Sequence, residues 1–133
     1  MSIFNQIQSE RRSGRTKCGV VAGKLTLVEL VRAFELSNDI AIYRSVERVE
    51  ADAIATHILE IDLAYGLRIM TPPRAMELWQ GFMDAFEGQE VSFATNVWTG
   101  MKSWNRATEA TFDMGVLVIG PNAGGCLWVE DED

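Results

Sequence analysis

The sequence predicts an α+β fold in which helices pack on one face of an antiparallel sheet of about four strands. Three observations lead to this expectation. Capped segments carry apolar residues at helical spacing, short runs alternate or are rich in β-branched residues, and two apolar C-terminal runs joined by turn residues predict a β-hairpin. The chain has 133 residues, a length that one hydrophobic core can organise, so we expect a single domain over residues 1–133.

The N-terminal third of the chain has clear helix-start signals. Ser2 can cap a first helix, and Thr26 with Glu29 has the spacing of a capping box, in which each side chain satisfies a backbone donor of the other residue. The predicted elements are a helix over residues 3–10, a short edge strand over 17–22, a helix that begins after Thr26, and a strand over 40–44.

Residues 47–65 carry two competing patterns. From Ile54 onward isoleucines recur at helical intervals among alanines, which favours a helix that begins near Glu47. Residues 59–65 alternate apolar and polar side chains, which is the spacing of a strand. We expect a helix from Glu47 and leave its second half open between helix and strand.

The middle of the chain predicts a helix followed by a strand. Thr71 offers a capping hydroxyl, and Pro72 follows at a position where a missing N–H costs nothing. The apolar residues at helical spacing after it are Met76, Trp79, Phe82, Met83 and Phe86. Residues 90–95 alternate as a half-buried strand does, residues 96–106 are rich in turn formers, and residues 103–110 are expected to form a short helix.

The C-terminal stretch predicts the hairpin. Residues 114–119 form a β-branched apolar run, residues 121–125 supply turn chemistry, and residues 126–129 return as the second strand. The chain then ends in four consecutive carboxylates, Glu130, Asp131, Glu132 and Asp133. Because adjacent like charges repel, we interpret this cluster as a surface for an external partner and expect its removal to leave the fold nearly unchanged.

Composition indicates a globular protein. Apolar residues make up 47% and charged residues 23% of the chain, which does not fit a disordered segment. The N-terminus lacks the pattern of a secretory signal, and no apolar run has the length of a membrane span, so we expect a cytoplasmic protein that does not bind membranes. Cys18 and Cys126 are expected to be buried, reduced thiols.

Charge is unevenly distributed along the chain. The formal net charge is −7, yet the part up to Lys24 holds five cations and one carboxylate, and the part from Leu25 onward holds seven cations and eighteen carboxylates. An acidic body disfavours nucleic acid as a partner and would steer a basic protein towards it. General solubility is the alternative explanation for the same charge.

The sequence contains no catalytic motif, and we therefore predict a binding protein rather than an enzyme. His57 is the only histidine and borders an apolar helical face, which is typical of a structural side chain. The carboxylate pairs Glu60 with Asp62 and Asp84 with Glu87 fall on expected solvated faces. No metal site and no cofactor are predicted.

Tryptophan is the informative residue type. Trp79 lies within an amphipathic pattern and is expected in the core, whereas the other three lie in polar sequence or beside the acidic end. Exposed tryptophan next to carboxylates is typical of a protein-binding surface, since aromatic anchors supply affinity and charges supply steering. The predicted partner-binding residues are Trp98, Trp104, Asp113, Trp128, Glu130, Asp131, Glu132 and Asp133. The alternative is that each indole covers an edge of the small core.

The C-terminal pattern, residues 113–120 followed by 126–133, resembles small acidic immunity proteins of bacterial toxin systems. Those are cytoplasmic inhibitors encoded beside contact-dependent, type VI or other polymorphic toxins, and the resemblance is confined to this segment. It implies that the chain binds a cognate toxin domain, expected to be a basic nuclease, and neutralises it without catalysis. Carboxylates would act as phosphate surrogates, and tryptophan would act as the anchor.

Other functions remain open at this point. One is a phage-type anti-defence protein that mimics DNA with its acidic face. Another is a small metabolite-binding domain, with a pocket lined by Tyr43, Met76, Trp79 and Met83. A third is a structural subunit whose exposed hairpin pairs with a copy of itself, and a homodimer is compatible with each of these functions.

Overall fold

The structure, a computed structural model, describes the backbone of residues 1–133 and every side chain except that of Thr99. Its helices are α1 (Ile3–Glu10), α2 (Leu27–Ala33), α3 (Arg48–Glu60) and α4 (Pro72–Met83), with short 3-10 turns at Ile40–Ile42, Asp84–Phe86 and Thr99–Met101. Its strands are β1 (Arg15–Ala22), β2 (Arg44–Val46), β3 (Ser92–Thr95), β4 (Val97–Trp98), β5 (Ser103–Trp104), β6 (Phe112–Ile119) and β7 (Ala123–Asp131). Ser2, Thr26 and Thr71 cap α1, α2 and α4 as predicted.

Five strands form one antiparallel sheet in the order β1-β7-β6-β3-β2. The hairpin of β6 and β7 lies inside it, with Phe112 opposite Asp131 and Ile119 opposite Gly124. β1 and β2 are the two edges, and β4 with β5 forms a separate two-stranded ribbon. The predicted α+β class, antiparallel sheet and C-terminal hairpin are confirmed, and the main sheet has five strands.

The sheet separates two apolar layers. On one face α1, α3 and α4 pack on alternate strand residues such as Val116 and Leu127. On the other face Leu30 of α2 belongs to the same buried cluster as Leu117 and Trp128. Because successive strand residues point to opposite faces, a central hairpin covered on both sides is apolar at nearly every position. Three of the four α-helices therefore share one face, and α2 covers the other.

A buried ion pair joins the end of α1 to the end of β7. The terminal nitrogens of Arg11 donate to the two carboxylate oxygens of Asp131 at 2.9 and 2.7 Å, and both side chains are buried. The other guanidinium N–H groups donate to the carbonyl oxygens of Ser13, Ile58 and Ile61, so all five donors of the arginine are satisfied. Ile58 and Ile61 lie at the C-terminal end of α3, where unpaired carbonyls favour a cation.

Asp62 organises the loop after α3. Its carboxylate accepts hydrogen bonds from the backbone N–H groups of Ala64 and Tyr65 at 2.9 and 2.8 Å, and from the hydroxyl of Ser13. Burial acts to raise the pKa of Asp62, but these hydrogen bonds and the nearby Arg11 outweigh it and hold the pKa below its usual value. The folded state therefore favours the ionised carboxylate.

The predicted strand over residues 40–44 is wrong. Asp39 accepts a hydrogen bond from the N–H of Ala41 at 3.2 Å, and this side-chain cap closes a 3-10 turn over Ile40–Ile42. The strand begins only at Arg44. A short polar side chain that binds the local backbone has here overridden the alternating pattern.

The helix expected from Glu47 is confirmed as α3, which ends at Glu60. The residues after it continue neither as helix nor as strand: Ile61 makes an isolated bridge with Arg68, and a turn lies between them. The helix predicted over residues 103–110 is wrong, because its first two residues form β5 and the rest contains bends.

The turn of the C-terminal hairpin is tighter than predicted. The sequence predicts a turn over residues 121–125, whereas β7 begins at Ala123 and the N–H of Gly120 donates to the carbonyl of Ala123 at 2.9 Å. Gly125 lies within the strand, where an added Cβ would stand 2.7 Å from the ring of Phe86. Both close packing within a strand and the geometry of a turn favour glycine. The presence of glycine in the sequence therefore does not show which of the two applies.

Asp131→Ala should lower the free energy of unfolding by about 3–5 kcal/mol, because it leaves the guanidinium of Arg11 buried without a counter-charge. Urea unfolding followed by far-UV circular dichroism measures this loss. The sequence predicted that the terminal carboxylates are dispensable for folding. Because Asp131 forms a buried ion pair, the structure predicts the opposite for this residue.

Asp133→Ala is the matched control, since this nearby carboxylate is exposed, and the effect should stay within about 0.5 kcal/mol. Glu132 is less suitable, because it accepts hydrogen bonds from the backbone N–H and the hydroxyl of Thr111. The double variant Arg11→Met with Asp131→Leu should be more stable than Asp131→Ala, because it removes both charges together. Equal unfolding midpoints for Asp131→Ala and Asp133→Ala would contradict a structural role for the pair.

Asp62→Asn should be less stable than the wild type at pH 7, and the difference should shrink as the pH falls below about 4. A carboxyl whose pKa is lowered on folding stabilises the protein above its unfolded pKa, and this contribution is lost as the pH falls through the folded-state pKa. Urea unfolding of both proteins at a series of pH values tests this. A difference that does not change with pH would show that ionisation of Asp62 is not involved.

Candidate binding cleft

The terminal carboxylates do not form one exposed cluster. Asp131 faces inward, where it binds Arg11 and also accepts the backbone N–H of Leu63 at 2.8 Å. Strand alternation therefore turns Glu130 and Glu132 the other way, and both line a cleft on the opposite side. The prediction that Asp131 belongs to an exposed binding surface is wrong, because the ends of α1 and α3 enclose it.

Asp113 and Trp128 are also buried, so their predicted place on an exposed surface is wrong. The carboxylate of Asp113 accepts the indole N–H of Trp128 at 3.0 Å, an amide N–H of Asn96 at 3.0 Å and the backbone N–H of Ala107 at 3.1 Å. Burial raises the pKa of Asp113, against the lowering effect of the hydrogen bonds from Trp128 and Ala107. The indole thus has its polar partner inside the protein.

The ring of Trp128 lies directly on Gly115, its cross-strand neighbour. A Cβ at position 115 would stand 2.1 Å from an indole carbon, and the ring meets Tyr43 edge-on with centroids 6.1 Å apart. Tyr43 consequently packs on one face of the sheet, while Trp79 and Met83 pack on the other. The metabolite pocket that would combine these side chains therefore does not form.

Trp98 and Trp104 occupy the ribbon of β4 and β5. Trp98 is 37% exposed, and the guanidinium of Arg44 lies 5.5 Å from its ring centroid in a cation–π contact. Trp104 is half-buried, with its ring centroid 5.5 Å from that of Phe112. Trp98 is thus the most exposed of the four tryptophans, and Glu132 and Asp133 are the exposed terminal carboxylates.

A cleft of about 800 Å³ opens beside the C-terminal end of β7. Its walls are the start of β1, the segment after α2, the segment before β6 and the end of β7. The charged residues that line it are Arg15, Lys17, Glu35, Glu109, Glu130 and Glu132. Four carboxylates against two cations give the cleft a net negative charge, which attracts cationic groups.

Lys17 neutralises part of this charge from inside the cleft. Its ammonium donates to the carbonyl oxygens of Phe34 and Glu35 at 2.9 and 3.3 Å, and it lies 3.4 Å from the carboxylate of Glu130. It therefore binds the free carbonyls at the end of α2 and leaves the rest of the rim unbalanced. Among the described side chains, no cation lies within ion-pair distance of Glu35, Glu109 or Glu132.

Glu35 has an unfavourable backbone conformation, with φ of +57°. The N–H of Leu36 donates to the carbonyl of Val31, and the N–H of Glu35 donates to that of Arg32, which is a Schellman ending of α2. Glycine is the usual residue here, because any other pays a steric cost of about 1 kcal/mol in this region. The strained residue thus places a carboxylate on the rim of the cleft.

Cys18, Cys126 and His57 do not line the cleft. The described side chains contain no group of three or more His, Cys, Asp or Glu residues that could hold a metal ion. Burial raises the pKa of the Cys18 thiol to about 12 and that of Cys126 well above its usual value, so both thiols are poor nucleophiles. His57 lies half-buried in the last turn of α3. The cleft offers charges for binding.

Sequence reasoning identified Glu130 and Glu132 of this cleft and missed its other glutamates. A signal for Glu35 was present, because a helix opened by a capping box is followed there by a charged residue where glycine is usual. Glu109 carried no such signal, since only the fold brings its loop to the end of β7.

Comparison with protein-family models, with curated proteins and with solved structures found no match for the chain. None of the helices in the described chain combines the length and hydrophobicity needed to cross a membrane. The geometry and charge of the cleft are therefore the features that bear on function.

Glu35→Gly should raise the free energy of unfolding by about 0.5–1 kcal/mol, because glycine relieves the positive-φ strain. Glu35→Ala is the matched control, since it removes the same carboxylate and keeps the strain, and it should not stabilise the protein. Urea unfolding compares the three proteins. If alanine stabilises as much as glycine does, charge repulsion in the cleft and not backbone strain is the cause.

Proposed function

We propose that the chain is a non-catalytic inhibitor, an immunity protein that binds and neutralises a basic toxin domain, with a nuclease as the favoured toxin. The single observation that carries this proposal is the cleft, in which four glutamates outnumber two cations. A nuclease must attract phosphate and therefore has a positively charged active site. A rigid acidic cleft can receive an arginine or lysine of such a site.

The arrangement of the cleft suits this role physically. Glu35, Glu109 and Glu132 carry the unbalanced negative charge, and a guanidinium placed between them would form charge-assisted hydrogen bonds. Lys17 holds Glu130 and the end of α2 in place, so the rim is ordered before binding and less entropy is lost in the complex. The overall charge of −7 would increase the rate of association with a basic partner at low salt.

Of the predicted aromatic anchors, Trp98 and Trp104 are not fully buried, and Trp98 is the stronger candidate. It is the tryptophan with the largest exposed fraction, and its contact with Arg44 fixes one face of the ring. Trp128 and Asp113 would act only indirectly, by holding β6 against β7 and thereby the cleft in shape. The partner surface of this proposal accordingly consists of the cleft rim and Trp98.

The test begins with the gene beside the one that encodes this chain. Its product, expected to be a toxin with a basic C-terminal domain, should stop growth when expressed alone and permit growth when expressed with this chain. Binding of the purified toxin domain is then measured by isothermal titration calorimetry. A toxin domain that stops growth equally with and without this chain would contradict the proposal.

Reversing the charge of the cleft should weaken that complex. Glu109→Lys combined with Glu132→Lys should raise the dissociation constant at least about tenfold, or 1.4 kcal/mol, and reduce its salt dependence. The control is Glu87→Lys, an exposed carboxylate outside the cleft, which should leave the dissociation constant nearly unchanged. Equal weakening by both variants would show that net charge acts without a specific site.

A further inference from the structure

The edge strand β1 presents unpaired backbone groups to solvent in a fixed alternation. β1 pairs with β7 on one side only. The N–H of Gly23 donates to the carbonyl oxygen of Asn122 across this pair. Because the backbone groups of successive strand residues point to opposite edges, those of Val21, Gly19 and every second residue before them face β7. Cys18, Val20 and Ala22 therefore direct their N–H and C=O groups outward.

A side-chain contact agrees with this assignment. The amide of Gln8 on α1 donates to the carbonyl of Thr16 at 3.2 Å, so Thr16, two residues before Cys18, also faces away from β7. Gln8 covers this end of the strand. The outward groups of Cys18, Val20 and Ala22 have no side-chain hydrogen bond among the described residues, and they form the open part of the edge.

Exposed cations lie at both ends of this open edge. Arg12 and Arg15 precede it and Lys24 follows it, and all three are exposed. None of them lies within ion-pair distance of a carboxylate among the described side chains. Three acids near these ends are already paired: Glu10 with Arg74, Asp131 with Arg11 and Glu130 with Lys17.

We propose that the edge of β1 binds an extended, acidic segment of a partner protein by adding it to the sheet as a sixth strand. The outward N–H and C=O groups of Cys18, Val20 and Ala22 would supply the main-chain hydrogen bonds of this pairing. Carboxylates at the ends of the segment would pair with Arg12, Arg15 and Lys24. Arg15 also lines the glutamate cleft, so the two surfaces meet at this residue but attract partners of opposite charge.

Charge selects this occupant over a second copy of the chain. Two β1 strands paired antiparallel would bring the Arg12 and Arg15 end of one copy next to Lys24 of the other, and like charges brought close together repel. An acidic segment meets the same cations with favourable charge. Cations on an edge strand also discourage pairing with uncharged strands, so they restrict which segments can bind.

The experiment titrates the full ¹⁵N-labelled chain with a synthetic eight-residue peptide that has alternating Val and Thr in the middle and two Glu at each end. The expected result is saturable shifts and slowed hydrogen exchange at the amides of Cys18, Val20 and Ala22. The amides of Val21 and Gly19, which face β7, should change much less. A version of the peptide with all backbone nitrogens of its Val and Thr residues methylated, so that neither edge can donate, should not bind.

Charge variants separate this surface from the glutamate cleft. Arg12→Glu combined with Lys24→Glu should raise the dissociation constant of the peptide about three- to tenfold, the effect expected of two exposed ion pairs. Neither residue lines the cleft, so binding of a basic toxin domain there should not weaken. Lys102→Glu, an exposed cation outside β1, is the control and should leave peptide binding unchanged.

Three results would overturn the proposal. One is the absence of saturable binding at millimolar peptide. Another is equal binding of a peptide in which Lys replaces every Glu, since charge would then not select the partner. The third is a dimer in sedimentation equilibrium that Val20→Pro converts to a monomer, because the edge would then belong to a second copy of the chain.

Discussion

The buried pair of Arg11 and Asp131 is the interaction on which the arrangement of this protein depends. The two residues are 120 positions apart. Together with the carbonyls of α3, they bring the ends of α1, α3 and the inner strand β7 to one point. A buried charge is tolerated only when its partners are complete, so this point is fixed. Because Asp131 must face inward, its neighbours Glu130 and Glu132 must face outward, and the cleft follows from that constraint.

Much of the fold could be predicted because its signals are local. The caps at Ser2, Thr26 and Thr71 and the apolar run of β6 act over a few residues, and they identified helices and strands correctly. The errors arose where short-range side-chain chemistry or distant packing competed with a pattern. Asp39 closed a turn inside an alternating segment, and Gly125 was glycine because of Phe86, which is far away in sequence.

The site was harder to predict because burial depends on the whole fold. Four consecutive carboxylates look identical in sequence, yet one of them completes a buried ion pair and two of them line a cleft. Trp128 lies next to that acidic end and is nevertheless fully buried, since Asp113 supplies its hydrogen bond from the adjacent strand. The uneven charge of the sequence is retained in the structure: the basic N-terminal segment becomes a sheet edge, and the acidic remainder supplies the glutamates of the cleft.

The stacking of Trp128 on Gly115 has a consequence for how this chain can evolve. Any side chain at position 115 would collide with the indole. A smaller residue at position 128 alone would leave a cavity, and the buried carboxylate of Asp113 would lose a hydrogen-bond donor. The residues at positions 113, 115 and 128 can therefore be substituted only together. In related sequences they should covary, and their joint identity would serve as a fingerprint for recognising distant members of the lineage.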